Sequence, residues 1–409
     1  MPHERSASPR DAAGRSGPDF PGCLGRVNRR QLLSGLAGAA GLALAGCGGA
    51  LQGSDPDART PRLRLIGEVR VPHRLAVAGT PVGGLSGLDY DPAGDLWYAL
   101  SDDRSELAPA RFYTFRLPIT LDRLDAPAWL GVGTLLDPQG VPFPPRRLAG
   151  TPPEAALVVD PESIRWRADT RTLLWTSEGD GRLAQGPFLR ECAEDGRHLR
   201  GLELPANLNV EPGGQRGARD NLTLEGLTLS RDGRSAWVAM EAALVQDGPL
   251  PTATAAGGPC RLTRVDLATG RAVQQVAYRP DPIPAQPQPP GGFADNGISE
   301  ILAWDDRRLL VLERAFVTGV GNSLRLYLID PATGSDTLNL DTLTAANHRP
   351  VDKHPVLDFA SLGLPRLDNT EGLAWGPQLS NGRRSLVCVS DDNFNPGQIT
   401  QFLAFECIE

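Results

Sequence analysis

The stretch LTLEGLTLSRDGRSAWVAMEAALV, residues 222–245, carries one carboxylate at Glu225, just before an alternating apolar run, and another at Glu241, just after the next run. Alternation with a period of two residues around the turn sequence SRDGR predicts a β-hairpin. Two antiparallel strands joined by a tight turn place the start of the first strand beside the end of the second. Glu225 and Glu241 are therefore expected to be neighbours at the open end of one hairpin.

The same pattern recurs four more times along the chain, as LSGLDYDPAGDLWYALSDDR (85–104), PESIRWRADTRTLLWTSEGD (161–180), ISEILAWDDRRLLVLERAF (298–316) and TEGLAWGPQLSNGRRSLVCVSDDN (370–393). The first positions of the five copies, 86, 162, 225, 300 and 371, lie 63 to 76 residues apart. Each unit therefore has room for about four strands of ~5–6 residues. Because repeated four-stranded units arranged radially form a β-propeller, we predict an all-β fold, a propeller of five or six blades. The alternative is a β-sandwich whose hairpins are similar by coincidence.

Two further segments bear on the blade count and on ring closure. A sixth, degenerate blade would lie in residues 105–160 or 181–221. RLRLIGEVRV (62–71) precedes the first repeat and QITQFLAFECI (398–408) follows the last. We expect these two segments to share one sheet and to close the ring, because closure leaves no strand edge exposed.

The repeats place acidic residues at the free ends of the hairpins. The pairs are Glu162 with Glu178, Glu225 with Glu241, Glu300 with Glu313 and Glu371 with Asp391, and the first copy has Ser86 with Asp102 and Asp103. At a common channel mouth, like charges ~4 Å apart would repel by roughly 4 kcal/mol per pair at an effective dielectric near 20. A bound hard cation, partnering arginines or protonated carboxyl groups would offset this repulsion. The alternative is that each acid caps its own loop.

Recurrence of the acids favours a shared pocket that binds Ca²⁺. Hard cations take about six to eight oxygen ligands, and the sequence shows no His/Cys cluster that would select a softer metal. The predicted metal ligands are Glu162, Glu225, Glu241, Glu300, Glu371 and Asp391.

Basic residues accompany the acids. Arg104 and Arg111 follow the first repeat, Arg314 and Arg325 follow the fourth, and Lys353 lies downstream. A guanidinium group either pairs with these carboxylates or clamps an anionic ligand through two hydrogen bonds. Both interpretations remain open, and the second predicts that these five residues bind substrate.

The N-terminus has the features of an export signal. NRRQLL (28–33) pairs two arginines with a short apolar stretch, residues 35–45, and LAGC (44–47) resembles a bacterial lipobox. We predict a twin-arginine lipoprotein signal peptide over residues 1–46, lipidation of Cys47, and a flexible tether over residues 47–61. The alternative is a plain signal peptide cut near Ala45. The predicted protein is exported to the periplasm or cell surface, and contacts a membrane through its lipid anchor only.

Charge and cysteine content restrict the partners. The residues after position 46 include 35 basic and 46 acidic side chains, a formal charge of −11. This balance argues against nucleic acid and fits a cation-binding surface. Four cysteines, at positions 192, 260, 388 and 407, show no CxxC or zinc spacing, and disulfides among them are possible. We expect a monomer.

Motifs distributed over residues 80–395 resemble the phytase-like family of bacterial exported proteins, also described as esterase-like activity of phytase. The matching segments are GGLSGLDYD (83–91), SDDR (101–104), ARFY (110–113), DPESI (160–164), NLTLEGL (221–227), ISEILAW (298–304), ERAFVTGVGNSLRLYLI (313–329), DNTEGLAWG (368–376) and SDDNF (390–394). The resemblance implies a propeller similar to calcium-dependent phytases, with residues 62–409 as the domain. It implies that Glu162, Glu225, Glu300, Glu371 and Asp391 hold metal and that Arg104, Arg111, Arg314 and Arg325 position phosphate.

The functional prediction is a calcium-dependent hydrolase of a small phosphate or other anionic ester, with Glu225, Glu371, Arg104 and Arg314 as catalytic residues. No G-x-S-x-G or H-E-x-x-H motif offers another mechanism. Two alternatives stay open. One is a propeller without catalytic activity that binds a ligand or partner, and the other is a lactonase-like esterase.

Overall fold

Residues 222–245 form the hairpin that the sequence predicts. In the computed structural model of the protein, Leu224–Leu229 and Ser235–Met240 pair in antiparallel fashion. The turn between them is closed by a hydrogen bond from the Ser230 amide to the Ser235 carbonyl, 2.8 Å. Gly233 has a φ of 68°, a conformation that glycine adopts without steric cost. The alternating apolar residues thus become the two faces of a short ribbon.

The structure describes residues 60–151, 154–211 and 214–408. The predicted signal peptide 1–46, Cys47 and the tether up to residue 59 lie outside these residues. Within the described residues, no helix is long and apolar enough to cross a membrane.

Strands account for nearly all regular structure in the described part of the chain. They are β1 (Arg62–Val71), β2 (Ala76–Val77), β3 (Thr80–Pro81), β4 (Leu85–Asp91), β5 (Leu96–Ser101), β6 (Arg111–Arg116), β7 (Ala128–Thr134), β8 (Pro161–Arg167), β9 (Thr172–Ser177), β10 (Phe188–Ala193), β11 (His198–Leu202), β12 (Leu224–Leu229), β13 (Ser235–Met240), β14 (Cys260–Asp266), β15 (Arg271–Tyr278), β16 (Gly297–Ala303), β17 (Leu309–Val317), β18 (Gly321–Ile329), β19 (Lys353–Asp358), β20 (Asn369–Gln378), β21 (Arg384–Asp391) and β22 (Thr400–Ile408). Short 3₁₀ turns span Arg146–Leu148, Gly181–Leu183, Ala206–Leu208, Val245–Asp247, Pro331–Thr333 and Phe359–Leu362.

Five four-stranded antiparallel sheets form the blades of a propeller. Blade 1 is β4–β7, blade 2 is β8–β11, blade 3 is β12–β15, blade 4 is β16–β19, and blade 5 is β20–β22 together with β1. The innermost strands β4, β8, β12, β16 and β20 contact one another in a closed cycle. The propeller prediction is confirmed with five blades, and both a sixth blade and the sandwich alternative are wrong. Residues 105–160 and 181–221 instead supply the outer strands of blades 1 and 2 and their connecting loops.

The ring closes as the sequence predicts. Strand β1 pairs with β22 from Arg62–Ile408 to Val71–Thr400, with one irregularity between Leu65 and Gly67. Strand β1 therefore completes the sheet that β20, β21 and β22 form, and it covers the outer edge of β22.

Apolar side chains from neighbouring blades form the core. Between blades 5 and 1, for example, Leu88 and Trp97 belong to the same buried cluster as Val389 and Phe402. This burial of apolar surface between neighbouring blades fixes the angle between them. The inner strands are thereby held in place around the axis. The four cysteines of the described chain are buried, and they form no disulfides with one another.

Candidate functional site

Each inner strand carries a β-bulge at the same place, near its start. The register shifts fall between Leu85 and Gly87, Pro161 and Ile164, Leu224 and Gly226, Ile298 and Glu300, and Thr370 and Gly372. A bulge inserts an unpaired residue and redirects its side chain. The bulged residues, which we call the inner ring, are Ser86, Glu162, Glu225, Ser299 and Glu371. In blade 2 the bulge also includes Ser163.

The second strand of each blade contributes a further residue at the same end of the propeller. Strand pairing aligns Leu85 with Ser101, Pro161 with Ser177, Leu224 with Met240, Ile298 with Glu313 and Thr370 with Ser390. The residues that follow these partners form an outer ring: Asp102, Glu178, Glu241, Arg314 and Asp391. Blade 4 therefore presents a cation where the other four blades present an acid.

All five residues of the outer ring and three of the inner ring, Glu162, Glu225 and Glu371, line one cavity of about 1420 Å³ at this end of the propeller. Seven of the ten hairpin acids line it: Asp102, Glu162, Glu178, Glu225, Glu241, Glu371 and Asp391. Asp160, which precedes β8, lines it too, together with Arg104 and Arg314. The hairpin geometry thus gathers carboxylates that are up to 289 positions apart in the chain, as Asp102 and Asp391 are.

The acids approach one another most closely between blades 2 and 3. Carboxylate oxygens of Asp160, Glu162 and Glu178 lie within 4.8 Å of one another, and those of Glu178, Glu225 and Glu241 do the same. Glu178 belongs to both groups and also accepts a hydrogen bond from the Thr223 amide of blade 3, at 2.5 Å. The five side chains are buried. Among the described residues, these are the two sets with the spacing of a metal site.

Burial and mutual repulsion raise the pKa of these carboxyl groups. Burial raises the pKa of Glu178 to about 8, with the charge of Asp160 as the next cause. Burial also raises the pKa of Glu241 to about 8, although Arg314 opposes the shift. The pKa values of Glu162 and Glu225 lie well above their ordinary range, because burial is reinforced by the charges of neighbouring glutamates. In the absence of a cation, the cavity therefore favours protonated acids.

Two arginines balance part of this charge. The guanidinium of Arg314 is buried, with Nη2 3.0 Å from Glu241 Oε1 and Nε 3.7 Å from Glu371 Oε1, and its Nε donates no hydrogen bond. Burial lowers the pKa of Arg314, but the surrounding carboxylates, Glu241 first, outweigh it and raise the pKa. Arg104 pairs with Asp160 and also donates to the Asn221 side chain.

On the blade 5 side, Asn369 connects the two rings. Its side-chain amide donates to Glu371 Oε1 at 2.9 Å and to Asp391 Oδ2 at 3.0 Å. Burial raises the pKa of Glu371 to about 7, while Arg314 opposes the shift and Glu241 adds to it. Burial and the charge of Glu371 raise the pKa of Asp391 well above its ordinary value.

Glu300 does not join the acids of the cavity. Glu300 Oε2 lies 2.7 Å from Arg165 Nη2 and accepts from the Ser163 hydroxyl at 2.7 Å, and Glu300 Oε1 accepts from the Leu227 amide at 2.8 Å. Arg165 in turn donates to the Leu88, Ile301 and Leu373 carbonyls. Both side chains are almost fully buried.

The pair therefore contacts all five inner strands and blocks the channel below the inner ring; we call it the channel plug. Gly87, Gly226 and Gly372 occupy the position that Glu300 has in blade 4, and each lies close to a neighbouring strand. A Cβ on Gly87 or Gly226 would lie within 3.0 Å of the next inner strand. Because of the bulge, Ser299 and not Glu300 is the inner-ring residue of blade 4. The predicted metal role of Glu300 is replaced by this structural role.

Three basic residues of the predicted substrate set also lie outside the cavity lining. Arg111 is buried and binds Asp103 at 2.7 Å and the Tyr113 hydroxyl at 2.6 Å. Lys353 binds Asp281 at 2.6 Å and Glu313 at 2.7 Å. Arg325 lies 3.7 Å from Asp281 and 3.8 Å from Asp358. The structure thus brings Arg104 and Arg314 to the acids, and it engages Arg111, Arg325 and Lys353 in ion pairs elsewhere.

Two members of the carboxylate groups, Asp160 and Glu178, were not among the metal ligands predicted from the sequence. Both flank the β8–β9 hairpin, and DPESI with TSEGD shows them in the sequence. Sequence reasoning also missed Ser299, although ISEI (298–301) aligns with LSGL (85–88) without a gap. The two serines play the same part: Ser86 Oγ donates to the Pro161 carbonyl and Ser299 Oγ to the Thr370 carbonyl, each at 3.2 Å.

The comparison with protein families identifies one match. The family described as phytase-like, esterase-like activity of phytase, matches residues 80–394. This match confirms the resemblance inferred from the motifs. No curated protein matches the sequence significantly.

Solved structures resemble the chain only distantly. An exo-β-1,3-galactanase from Phanerochaete chrysosporium is 11% identical with a TM-score of 0.43, over 84% of this chain and 64% of the galactanase. A xylan β-1,4-xylosidase from Bacillus halodurans C-125 is 12% identical with a TM-score of 0.41, over 80% of this chain and 53% of the xylosidase. Hydrazine synthase from Kuenenia stuttgartiensis is 13% identical with a TM-score of 0.34, over 78% of this chain and 80% of the synthase. The chain thus spans less than two thirds of the two glycosidase structures.

Proposed function

We propose that this chain, which belongs to the phytase-like family, is a calcium-dependent hydrolase of small phosphate esters or other anionic esters. The observation that carries the proposal is the set of buried carboxylates that line one cavity together with Arg104 and Arg314. Crowded buried acids of this kind demand either protons or a cation. Two arginines among them supply positions for an anionic group.

The residues present fit a hard divalent cation. The two groups that share Glu178 offer only carboxylate oxygens, from Asp160, Glu162, Glu178, Glu225 and Glu241, and oxygen donors are those that Ca²⁺ prefers. These five residues would hold the metal, with Glu371 and Asp391 on the opposite side of the cavity. When bound, Ca²⁺ would supply Lewis-acid polarisation of the ester and activation of water.

The arginines would orient the substrate. Arg314 lines the cavity, with Nη2 3.0 Å from Glu241 and Nε 3.7 Å from Glu371, and its guanidinium group would contact an anionic oxygen of a bound substrate. Arg104 lies at another point of the cavity wall, held by Asp160 and Asn221. With their positions fixed in the cavity wall, Arg104 and Arg314 would hold an anionic ester in one orientation. They would also stabilise the negative charge that develops on its oxygens during the reaction.

Glu371 is suited to proton transfer. In the metal-free protein, burial raises its pKa to about 7, a range suited to general acid–base catalysis near neutral pH. Asn369 holds Glu371 Oε1, which fixes the carboxyl group and leaves Oε2 as the atom that we expect to take and return a proton. Glu225, which the sequence also assigns to catalysis, lies in a metal-binding group. We therefore propose that Glu225 contributes to catalysis by holding the cation, and that Glu371 does so by transferring a proton.

A substrate panel tests the proposal. Full-length protein would be assayed on p-nitrophenyl phosphate, phytate, p-nitrophenyl acetate and a lactone, each with calcium and with chelator. We expect turnover of a phosphate ester that chelator abolishes. Turnover of the lactone alone would identify a lactonase. Absence of turnover on every substrate, with calcium still raising the melting temperature, would identify a binding protein.

We also propose that the protein is exported and anchored by a lipid on Cys47, on the basis of the arginine pair at 29–30 and the LAGC sequence. Mass spectrometry of the protein from a bacterial membrane fraction checks this. We expect a diacylated N-terminal Cys47 and release of Cys47→Ser protein into the soluble fraction. A Cys47→Ser protein that stays with the membrane contradicts the anchor.

A further inference from the structure

Three exposed apolar side chains line the acidic cavity, and two of them are neighbouring phenylalanines. Phe293, Phe316 and Val320 are 65%, 37% and 55% exposed, and all three line the cavity. The ring centroids of Phe293 and Phe316 lie 6.3 Å apart. Scattered apolar residues are normal on a protein surface, whereas a contiguous group marks an interaction site. We call these three residues the apolar rim.

The apolar rim is built by an extended hairpin of blade 4. Strands β17 and β18 are nine residues long, while the second strands of blades 1 to 3 have six. The hairpin tip is tied to the preceding loop, because the Thr318 amide donates to the Phe293 carbonyl at 2.9 Å and the Asp295 amide to the Phe316 carbonyl at 3.0 Å. The rim is therefore held by backbone hydrogen bonds.

Strand β17 carries both the buried cation and an apolar residue above it. Arg314 and Phe316 are two positions apart, so they project from the same face of the strand, and both line the cavity. The separation along the strand is roughly 7 Å, at about 3.4 Å per residue. If the anionic group of a ligand contacts Arg314, the ligand atoms that are a few bonds from that group would lie beside Phe316.

We propose that the substrate is amphiphilic, with one anionic head on the floor of the cavity and an alkyl or aryl group against the apolar rim. This inference rests on the proposed function and specifies its substrate class. Eleven carboxylates and three arginines line the cavity. A polyphosphorylated molecule would bring several more negative charges to this lining, whereas a single head group would be matched by Arg104 and Arg314.

Binding of two phosphonates tests the proposal without requiring turnover. Hexylphosphonate and methylphosphonate share one head group and resist hydrolysis. Titration calorimetry would use the full-length chain carrying Cys47→Ala, in calcium. We expect hexylphosphonate to bind at least about tenfold more tightly, because its chain buries apolar area on the rim. The double variant Phe293→Ser/Phe316→Ser should lose that preference and still bind methylphosphonate.

Leu130→Ser is the matched control, since Leu130 is 54% exposed on β7 and does not line the cavity. It should keep the hexyl preference, and Phe316→Leu should keep most of it. If the double variant does not fold, Phe293→Ser alone should still reduce the preference.

The remaining outcomes separate the two proposals. Equal affinity for both phosphonates in the unmodified protein, or a hexyl preference that survives the double variant, overturns the role of the rim and leaves the proposed function standing. No binding of either phosphonate in calcium overturns the anion site itself. Binding to phosphatidylcholine vesicles that depends on Phe293 and Phe316, without a hexyl preference, would make the rim a membrane contact and would also overturn the proposal.

Discussion

Arg314 takes the position in blade 4 that Glu241 takes in blade 3, and the two side chains meet with Nη2 3.0 Å from Oε1. Glu371 Oε1 lies 3.7 Å from Arg314 Nε. One substitution in a ring of acids thus neutralises part of the charge that the other blades create. The consequences of this arrangement are measurable.

Arg314→Gln should destabilise the metal-free protein and enlarge its response to calcium. Glu241 and Glu371 would lose their buried cation, at a cost of roughly 1–3 kcal/mol in the free energy of unfolding. Added Ca²⁺ would then relieve more repulsion, so the calcium-induced rise in melting temperature should exceed that of the unmodified protein. Thermal unfolding with calcium and with chelator measures both effects. Arg325→Gln, which breaks ion pairs outside the cavity, is the control. An equal calcium response in both variants contradicts this account of Arg314.

Glu178→Gln should abolish most of the calcium response without loss of the fold. Glu178 belongs to both carboxylate groups, and a glutamine in its place can still accept from the Thr223 amide while removing one charge from each group. Calorimetric titration with Ca²⁺ should show an affinity reduced at least about tenfold. An unchanged affinity would remove Glu178 from the ligand set.

Glu300→Gln should destabilise the protein and leave its response to calcium unchanged. The substitution leaves Arg165 buried without its carboxylate, which costs roughly 3–5 kcal/mol of stability. Calcium should nevertheless raise the melting temperature as it does in the unmodified protein, because Glu300 lies below the cavity acids. Denaturant unfolding measures the first effect and a thermal shift with calcium the second. Loss of the calcium shift in a folded Glu300→Gln protein would restore this residue as a ligand.

Stability of the metal-free protein should fall as the pH rises from about 4.5 to about 8. The ordinary pKa of a glutamate is 4.5, and the pKa values of Glu178 and Glu241 in the folded protein are about 8. The folded state therefore binds more protons than the unfolded state in this window, and the free energy of unfolding decreases with increasing pH. Urea unfolding in chelator at several pH values tests the slope. Glu178→Gln/Glu241→Gln protein should show a shallower slope, and an identical slope contradicts the assignment.

Removal of strand β1 should open the ring. A chain that begins at residue 73 lacks the strand that covers β22, so its free edge invites pairing between molecules. We expect a lower melting temperature and larger species in size-exclusion chromatography. A chain that begins at residue 60 keeps β1 and provides the control. A monomeric, equally stable shorter chain would show that closure contributes little.

The repeated hairpins made the fold predictable. Each copy combines a strand of alternating apolar residues, a turn and a second strand. Few architectures besides a propeller contain five such copies at similar spacing. Ring closure followed from the two unassigned strands at the ends, Arg62–Val71 and Thr400–Ile408, which pair as expected. The sixth blade was wrong because residues 105–160 and 181–221, which are long enough for a blade, instead supply the outer strands of blades 1 and 2 and their connecting loops.

The limits of sequence reasoning at the site have a specific cause. A strand alternates its side chains between two faces, so an error of one residue moves a side chain from one environment to another. ISEILAW contains one acid, Glu300, and its neighbour Ser299 holds the equivalent position because of the bulge. The partners of Arg111, Arg325 and Lys353 were not predictable for a different reason. Those ion pairs depend on loops that the hairpin pattern does not describe.

The channel plug gives the propeller a closed base. Arg165 and Glu300 block the axis that five inner strands would otherwise leave open. Within the propeller, the acids are therefore reached from one end only, the end that carries the inner and outer rings. Substrate would enter and product would leave by this same end, where Phe293 and Phe316 line the cavity.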